Sequence, residues 1–305
     1  MKKRIMSVLL LALMGVSVFA GCSEESSTES TDSSSDSSES STELTTGTIS
    51  VISRESGSGT RDAFVELTGV LVEDDDGNST DETYSEAITL SSTEGVISNI
   101  SGDTLAIGYI SLGSLSDSVK AVSIDDVEPS VETVADGTYA ISRPFNIAIS
   151  QDGISDAAQD FINYIFSAEG QAVIEENGYV QIDDSAEAYT QSDAEGTVTI
   201  EGSSSVSAVM TKLKEAYEEI NSNVTIELQT TDSSSGMTAA SEGRCDIGMA
   251  SRDLKDSELE SLTSMTIAND GIVVIVNNDN TTDNLTMEQV RQIFTGEITD
   301  WSDIA

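Results

Sequence analysis

A strand that feeds a glycine- and hydroxyl-rich turn and then opens a helix occurs early, at Ser53-Arg54-Glu55-Ser56-Gly57-Ser58-Gly59-Thr60-Arg61-Asp62, and the design recurs. Extended residues precede it (Thr48-Ile49-Ser50-Val51-Ile52) and helical ones follow (Ala63-Phe64-Val65-Glu66-Leu67). Such a junction is a natural anion site: the helix start offers unpaired N–H groups and a positive dipole end, and small residues let the backbone approach. Arg54 and Arg61 flank the turn and are suited to a bidentate fork on phosphate-like oxygens. Taken alone, the run reads equally well as an ordinary strand–turn–helix. Further turns of the same kind favour the site: Gly202-Ser203-Ser204-Ser205 after Val198-Thr199-Ile200, Thr230 to Gly236 after Val224 to Leu228, and Ser251-Arg252 after Asp246 to Ala250.

Between these turns, apolar continuity predicts strands at 105–110, 119–124, 139–149 (interrupted at Arg143-Pro144) and 271–276. Helical spacing predicts helices at 65–72, 94–100, 155–176, 209–220, 237–242 and 286–294. An acidic loop is expected at 73–79 and a polar stretch at 181–195. Strands alternating with helices imply an α/β fold with mostly parallel sheet, whose ligands bind beyond the carboxyl ends of the strands, where the hydroxyl-rich turns fall.

The first 22 residues read as a leader, with basic Lys2, Lys3 and Arg4, an apolar core from Val8 to Ala20, and Ala20-Gly21-Cys22. The core is too short for a membrane span, and the small-small-Cys ending resembles a bacterial lipoprotein signal, with palmitate-type acylation at Cys22. An ordinary secretory signal with an incidental cysteine is the alternative. Residues 23–46 are nearly all Ser, Thr, Glu and Asp and read as a solvated tether, with a flexible-coil reach of roughly 25–30 Å. The remaining length suits one large domain or two small ones.

A formal net charge of −42 excludes nucleic acid as a partner. No histidine is present, and Cys245, a buried structural thiol by default, is the one cysteine beyond the leader. His-dependent triads and most zinc sites are therefore untenable, and no metal, cofactor or catalytic residue is expected.

The Ser53-to-Phe64 run resembles the most specific signature of the phosphate-binding component of the Pst-type phosphate ABC transporter, a two-domain type II periplasmic-binding-protein fold with a hinge and central cleft. Gly202-Ser203-Ser204-Ser205-Val206, Ser234-Ser235-Gly236 and Asp246-Ile247-Gly248-Met249-Ala250-Ser251-Arg252 are similar to its other phosphate loops. Phe161-Ile162 with Ser167-Ala168-Glu169-Gly170-Gln171 resembles its C-terminal helix, and Phe294 to Trp301 a stretch usually found mid-chain. The likeness runs from residue 47 onward, with the halves exchanged: in the family pattern the segment like Val198 to Ala305 precedes the segment like Thr48 to Val180. The order implies a circular permutant rejoined through Gln181 to Glu195. It also implies a split domain (48–146 plus 277–305) and a continuous one (147–276), with hinge crossings near Arg143 to Ile147 and Val274 to Asn278. The alternative is a chain that completes itself by exchanging halves with a second copy.

The resemblance implies that Arg54 forks the anion and that Ser58, Gly59 and Thr60 donate to it. Ser205 and the Val206 N–H would cap it from the facing domain with Ser234 or Ser235, and Ser251 would line the third loop. Ser251 stands where a branch of the family has an aspartate, so phosphate-over-sulfate selectivity is open unless Glu55 or Asp62 supplies the acceptor. Arg252 is expected to be a structural ion-pair partner rather than a ligand contact. The implied function is an extracytoplasmic lipoprotein that captures inorganic phosphate for an ABC permease and its ATPase, held at the outer face of the membrane by its lipid alone. Another tetrahedral oxyanion, or a sensor or scavenger uncoupled from transport, are the alternatives. A hydroxyl-nucleophile phosphatase lacks a spaced base.

Overall fold

The computed structural model describes residues 44–74 and 78–304. The expected leader with Cys22 and nearly all of the tether lie outside the described residues.

Eight strands of one mixed sheet carry the architecture: β1 (Ser50–Arg54), β2 (Ile88–Leu90), β3 (Ala106–Ser111), β4 (Ser142–Ser150), β5 (Gly196–Ser203), β6 (Val224–Thr231), β7 (Ile247–Ala250) and β8 (Leu262–Val276). Their order across the sheet is β6-β5-β7-β4-β8-β3-β1-β2. Parallel ladders join β1 with β2 and β3, and β5 with β6 and β7, but antiparallel ladders are as prominent, so the sheet is mixed rather than mostly parallel. The halves are joined by antiparallel ladders, in which β4 and β8 run side by side and continue to β7 and β3. Among the described residues the seven longer helices are α1 (Gly59–Leu67), α2 (Thr93–Gly102), α3 (Asp156–Ile165), α4 (Ala168–Glu176), α5 (Ser204–Ile220), α6 (Ser233–Ser241) and α7 (Met287–Thr295).

Each half has its own core. Phe145, Phe161, Tyr217, Val198 and Ile247 pack in one lobe, and Val51, Phe64, Tyr109, Val274, Phe294 and Trp301 in the other. The lobes meet where β8 changes partner: Leu262 to Gly271 pair with β4, and Ile272 to Val276 pair with β3. The second crossing therefore lies at Gly271, not at Val274 to Asn278. The five aliphatic residues assigned from the sequence to the continuous domain belong with the split one, because their side chains fill its core.

Three predicted elements differ for local reasons. The helix expected at 65–72 spans Gly59–Leu67 instead; Gly69 has φ +75° and Leu71–Glu73 is extended. The helix expected at 155–176 is two, because Ser167 caps a new helix through its Oγ, and a Cβ on Gly170 would sit 2.1 Å from the Tyr164 carbonyl. β4 runs through Arg143-Pro144 without the expected interruption. Gly47 to Ile49 pair with Thr299 to Trp301 through Ile49 N–H to Thr299 O (2.9 Å) and Trp301 N–H to Gly47 O (3.0 Å). These two segments, far apart in sequence, thus lie side by side.

Candidate functional site

Three helix starts converge between the lobes: α1 from one, α5 and α6 from the other. α1 begins at Gly59 because Ser58 is extended and its Oγ accepts the Arg61 N–H. α5 begins at Ser204 with Ser203 as its cap, and α6 at Ser233 with Asp232 as its cap. Ser204, Ser205, Ser233, Ser234 and Ser235, predicted to sit in turns, thus occupy first helical turns, where backbone N–H groups lack helical partners.

The lobes touch through these starts. The Thr60 and Ser205 hydroxyls share a buried hydrogen bond of 2.9 Å. The Ser234 N–H donates to the Gly57 carbonyl at 3.2 Å. Gly59 approaches so closely that a Cβ there would lie 2.4 Å from Ser233 Oγ and 2.9 Å from Ser251 Oγ. Beneath it Ser203 donates to Ser251 Oγ (2.9 Å), and the Ser251 N–H donates to Ser233 Oγ (3.2 Å). Ser203, Ser233 and Ser251 are all buried.

Arg54 is also buried and its guanidinium is held from three directions. Nε and Nη2 fork onto the Glu55 carboxylate at 3.0 and 2.9 Å, Nη2 also donates to Ser204 Oγ (3.1 Å), and Nε to the Leu90 carbonyl (3.2 Å). Below it Tyr109 shares a hydrogen bond with Ser53 and stacks on Phe64 with ring centroids 3.9 Å apart. Arg61 is paired with Asp81 at 2.8 Å and donates to the Arg54 carbonyl. Arg252 is the ion-pair partner that the sequence suggested, reaching Glu258 at 2.8 Å within its lobe and Asp62 at 3.0 Å across the cleft.

Of the nine residues singled out, Arg54, Gly59, Thr60, Ser205 and Ser251 meet at this junction, and Ser234 reaches it through its backbone N–H. Ser58 serves as the α1 cap, and the Val206 N–H is directed at its own cap, Ser203 Oγ, at 3.5 Å. Ser234 takes a hydrogen bond from Arg252 Nη2 (3.3 Å), while Ser235 donates to Asp232 Oδ2 (2.6 Å). The α6 hydroxyl that joins the cluster is Ser233. Sequence reasoning passed over Ser233 and Ser203; an Asp followed by small residues after a strand is a cap signal that would have put Ser233 at the first helical position. A neighbouring groove of about 590 Å³, lined by Ala63, Leu67, Pro144, Leu254 and others, touches none of the nine. Among the described residues no cluster of His, Cys, Asp or Glu is arranged to hold a metal ion.

Cys245 is buried, its thiol directed at the Ile247 carbonyl (3.4 Å), and burial pushes its pKa up to about 11. It is the inert structural thiol that the composition suggested.

A PBP superfamily domain matches residues 35–169 and 187–305. Phosphate-binding protein PstS 2 of Streptococcus agalactiae serotype V is 44% identical over 306 residues, covering 100% of this chain and 99% of that one. The protein of the same name from Streptococcus pneumoniae serotype 4 is 44% identical over 299 residues, covering 97% of this chain and 98% of that one. These end-to-end matches mean that both relatives carry the two halves in the order seen here. A crystal structure of a phosphate ABC transporter, phosphate-binding protein from Streptococcus pneumoniae TIGR4 superposes with a TM-score of 0.68 at 47% identity, covering 85% of this chain and 100% of that one. With a closed cluster of donors between two lobes and relatives matched along its whole length, the chain belongs to the PstS family of phosphate-binding proteins within the PBP superfamily.

Proposed function

We propose that this protein captures inorganic phosphate between its lobes and delivers it to an ABC permease and ATPase. The observation that carries the reading is the convergence of the α1, α5 and α6 starts on buried hydroxyls, with the Arg54 guanidinium beside them. Helix starts supply N–H groups and partial positive charge, hydroxyls supply orientable donors, and exclusion of water strengthens both. Arg54, Gly59, Thr60, Ser205, Ser233 and Ser251 are the residues assigned to the anion, with Ser203 bracing Ser251. Glu55 fixes the Arg54 fork and is a carboxylate acceptor available for a phosphate proton. Binding, not turnover, is what such a set performs: it surrounds the oxyanion with donors and brings no base to a nucleophile.

The chain is held at the outer face of the cytoplasmic membrane by acylation of Cys22. The basic start, apolar core and Ala20-Gly21-Cys22 ending support this, and among the described residues no helix is long and apolar enough to cross a membrane. We also read the exchanged halves as a circular permutation closing within one chain. The pairing of Gly47 to Ile49 with Thr299 to Trp301 supports it, since a chain joined there would follow the family's usual order. A different tetrahedral oxyanion is the second reading, favoured by Ser251 where a carboxylate would enforce a protonated ligand.

Isothermal calorimetry with phosphate, and sulfate as control, tests the function. One-to-one phosphate binding with sulfate weaker by at least about a hundredfold is expected. Equal binding of both would favour the second reading, and binding of neither would refute both. Mass spectrometry of protein from bacterial membranes tests the anchor.

A further inference from the structure

Arg143 and Asp270 face each other in the ladder between β4 and β8, one step before β8 changes lobes at Gly271. Their side chains are 1% and 0% exposed. Asp270 Oδ2 accepts from Arg143 Nη2 (3.1 Å) and Nε (3.3 Å), and Oδ1 accepts from the hydroxyl of Ser111, the last residue of β3 in the other lobe (2.8 Å). The remaining nitrogen of the fork, Nη1, donates to the carbonyl of Ser251 at 3.0 Å. Three residues along the same strand, Asn146 Nδ2 donates to the Arg252 carbonyl (2.9 Å). The Ser251-Arg252 turn is therefore hung from β4 by two side chains, and one of them is tied through Asp270 to the opposite lobe.

A buried ion pair is a poor device for stability alone, because the desolvation of two charges consumes most of their attraction. Here it has a geometric consequence. Ser251 is the residue on which the Ser203 and Ser233 hydroxyls meet, directly beneath Gly59.

We propose that Arg143 and Asp270 are a positioning pair for the anion site, fixing the Ser251 carbonyl, and through it the Ser203–Ser251–Ser233 hydroxyl cluster, against α1 when the lobes are closed. The inference rests on the phosphate-binding reading above and names residues outside the family signature quoted from the sequence. Burial pushes the Asp270 carboxyl up to about 6 against the pull of Arg143. The other ionisable groups acting on the pair are Tyr139 and Tyr179, whose phenols burial pushes upward, and Arg54, whose like charge opposes that of Arg143. Asp270 is thus the group facing Arg143 that titrates on the acid side of neutrality.

The test compares phosphate binding by the full chain and its Asp270→Asn variant. Electrostatics alone predicts tighter binding by the variant, since a negative charge near an anion site has been removed. Positioning predicts the reverse, an affinity about tenfold weaker at neutral pH. The pH dependence adds a readout that a purely structural role would not move. Protonation of phosphate is common to both proteins, so the ratio of their dissociation constants isolates the carboxylate, and it should fall toward one as the pH drops from about 7.5 to about 5.5. Equal or tighter binding by the variant, or a ratio independent of pH, overturns the proposal. Should Asp270→Asn fail to fold, Ser111→Ala frees Oδ1 while keeping the charge and should weaken binding severalfold; unchanged affinity there overturns the proposal equally. Absence of phosphate binding by the unaltered protein would instead refute the function on which the inference rests.

Discussion

The hydroxyls of Thr60 and Ser205, 145 positions apart in the chain, share a buried hydrogen bond of 2.9 Å across the two lobes. Each sits in the first turn of a helix, so the contact brings two helix starts to one point. A buried hydroxyl that loses its partner costs about 1–3 kcal/mol, and one that donates to a bound anion forfeits a charge-assisted bond as well. Ser205→Ala should therefore weaken phosphate binding by roughly tenfold or more, and the stranded Thr60 hydroxyl should lower the urea midpoint as well. Calorimetry and denaturation on the same preparation check both halves of the expectation.

The strand–turn–helix junctions were legible because they are local: Arg54 to Thr60 and Gly202 to Ser205 carry their geometry in glycine, cap residues and apolar flanks. The polar half of β8 was not. The strand expected at 271–276 begins instead at Leu262 and runs through Asn269 and Asp270, because Arg143 on the neighbouring strand neutralises Asp270 in the interior. Ser233 was passed over for a related reason. Its hydroxyl matters because Gly59 and Ser251 arrive beside it from elsewhere in the chain, and periodicity contains no trace of that approach. Tertiary pairing of charges and hydroxyls decided both cases.

Arg252 joins Asp62 on α1 to Glu258 in its own lobe, and the two contacts should separate experimentally. Burial pushes the Glu258 carboxyl up, but the hydrogen bonds and charge of Arg252 outweigh it and hold it below the usual range. Arg252→Met strands that partly buried carboxylate and should cost about 2 kcal/mol in urea unfolding at neutral pH. Asp62→Asn leaves the Glu258 pair intact and removes the charge across the cleft. Its expected effect is kinetic: a phosphate off-rate raised by about two- to fivefold in stopped-flow, with stability nearly unchanged.

The connection at 181–195 is strapped down rather than loose. Tyr189 within it and Tyr217 on α5 both donate to Asp160 Oδ2, at 2.6 and 2.5 Å. Burial raises the Asp160 pKa, but these hydroxyl donors outweigh it and hold the carboxyl below its ordinary value. A lowered native pKa stabilises the fold above the unfolded value, and that contribution is lost as the pH falls through the native one. Tyr189→Phe should cost about 1.5 kcal/mol near pH 7 and progressively less below about pH 4. Urea titrations at the two pH values, with hydrogen exchange across 183–195, provide the comparison.

Gly59 offers the sharpest separation of closure from folding. It starts α1 at an ordinary negative φ, where alanine is a better helix former by up to about 1 kcal/mol, so Gly59→Ala should leave its own lobe as stable or more so. The added methyl would meet Ser233 Oγ at 2.4 Å and Ser251 Oγ at 2.9 Å, both in the facing lobe. Those hydroxyls are held by Ser203 and by the Ser251 backbone, so they cannot yield without dismantling the cluster. The lobes must then stop short of contact, and every donor that reaches the anion from α5 and α6 moves out of hydrogen-bond range. Phosphate affinity should fall by at least about a hundredfold while the urea midpoint holds or rises. Small-angle scattering in saturating phosphate should show the variant more open than the parent protein. A variant that binds phosphate as tightly as the parent would mean that the anion is held without the Gly59 approach, and the site assigned here would be wrong.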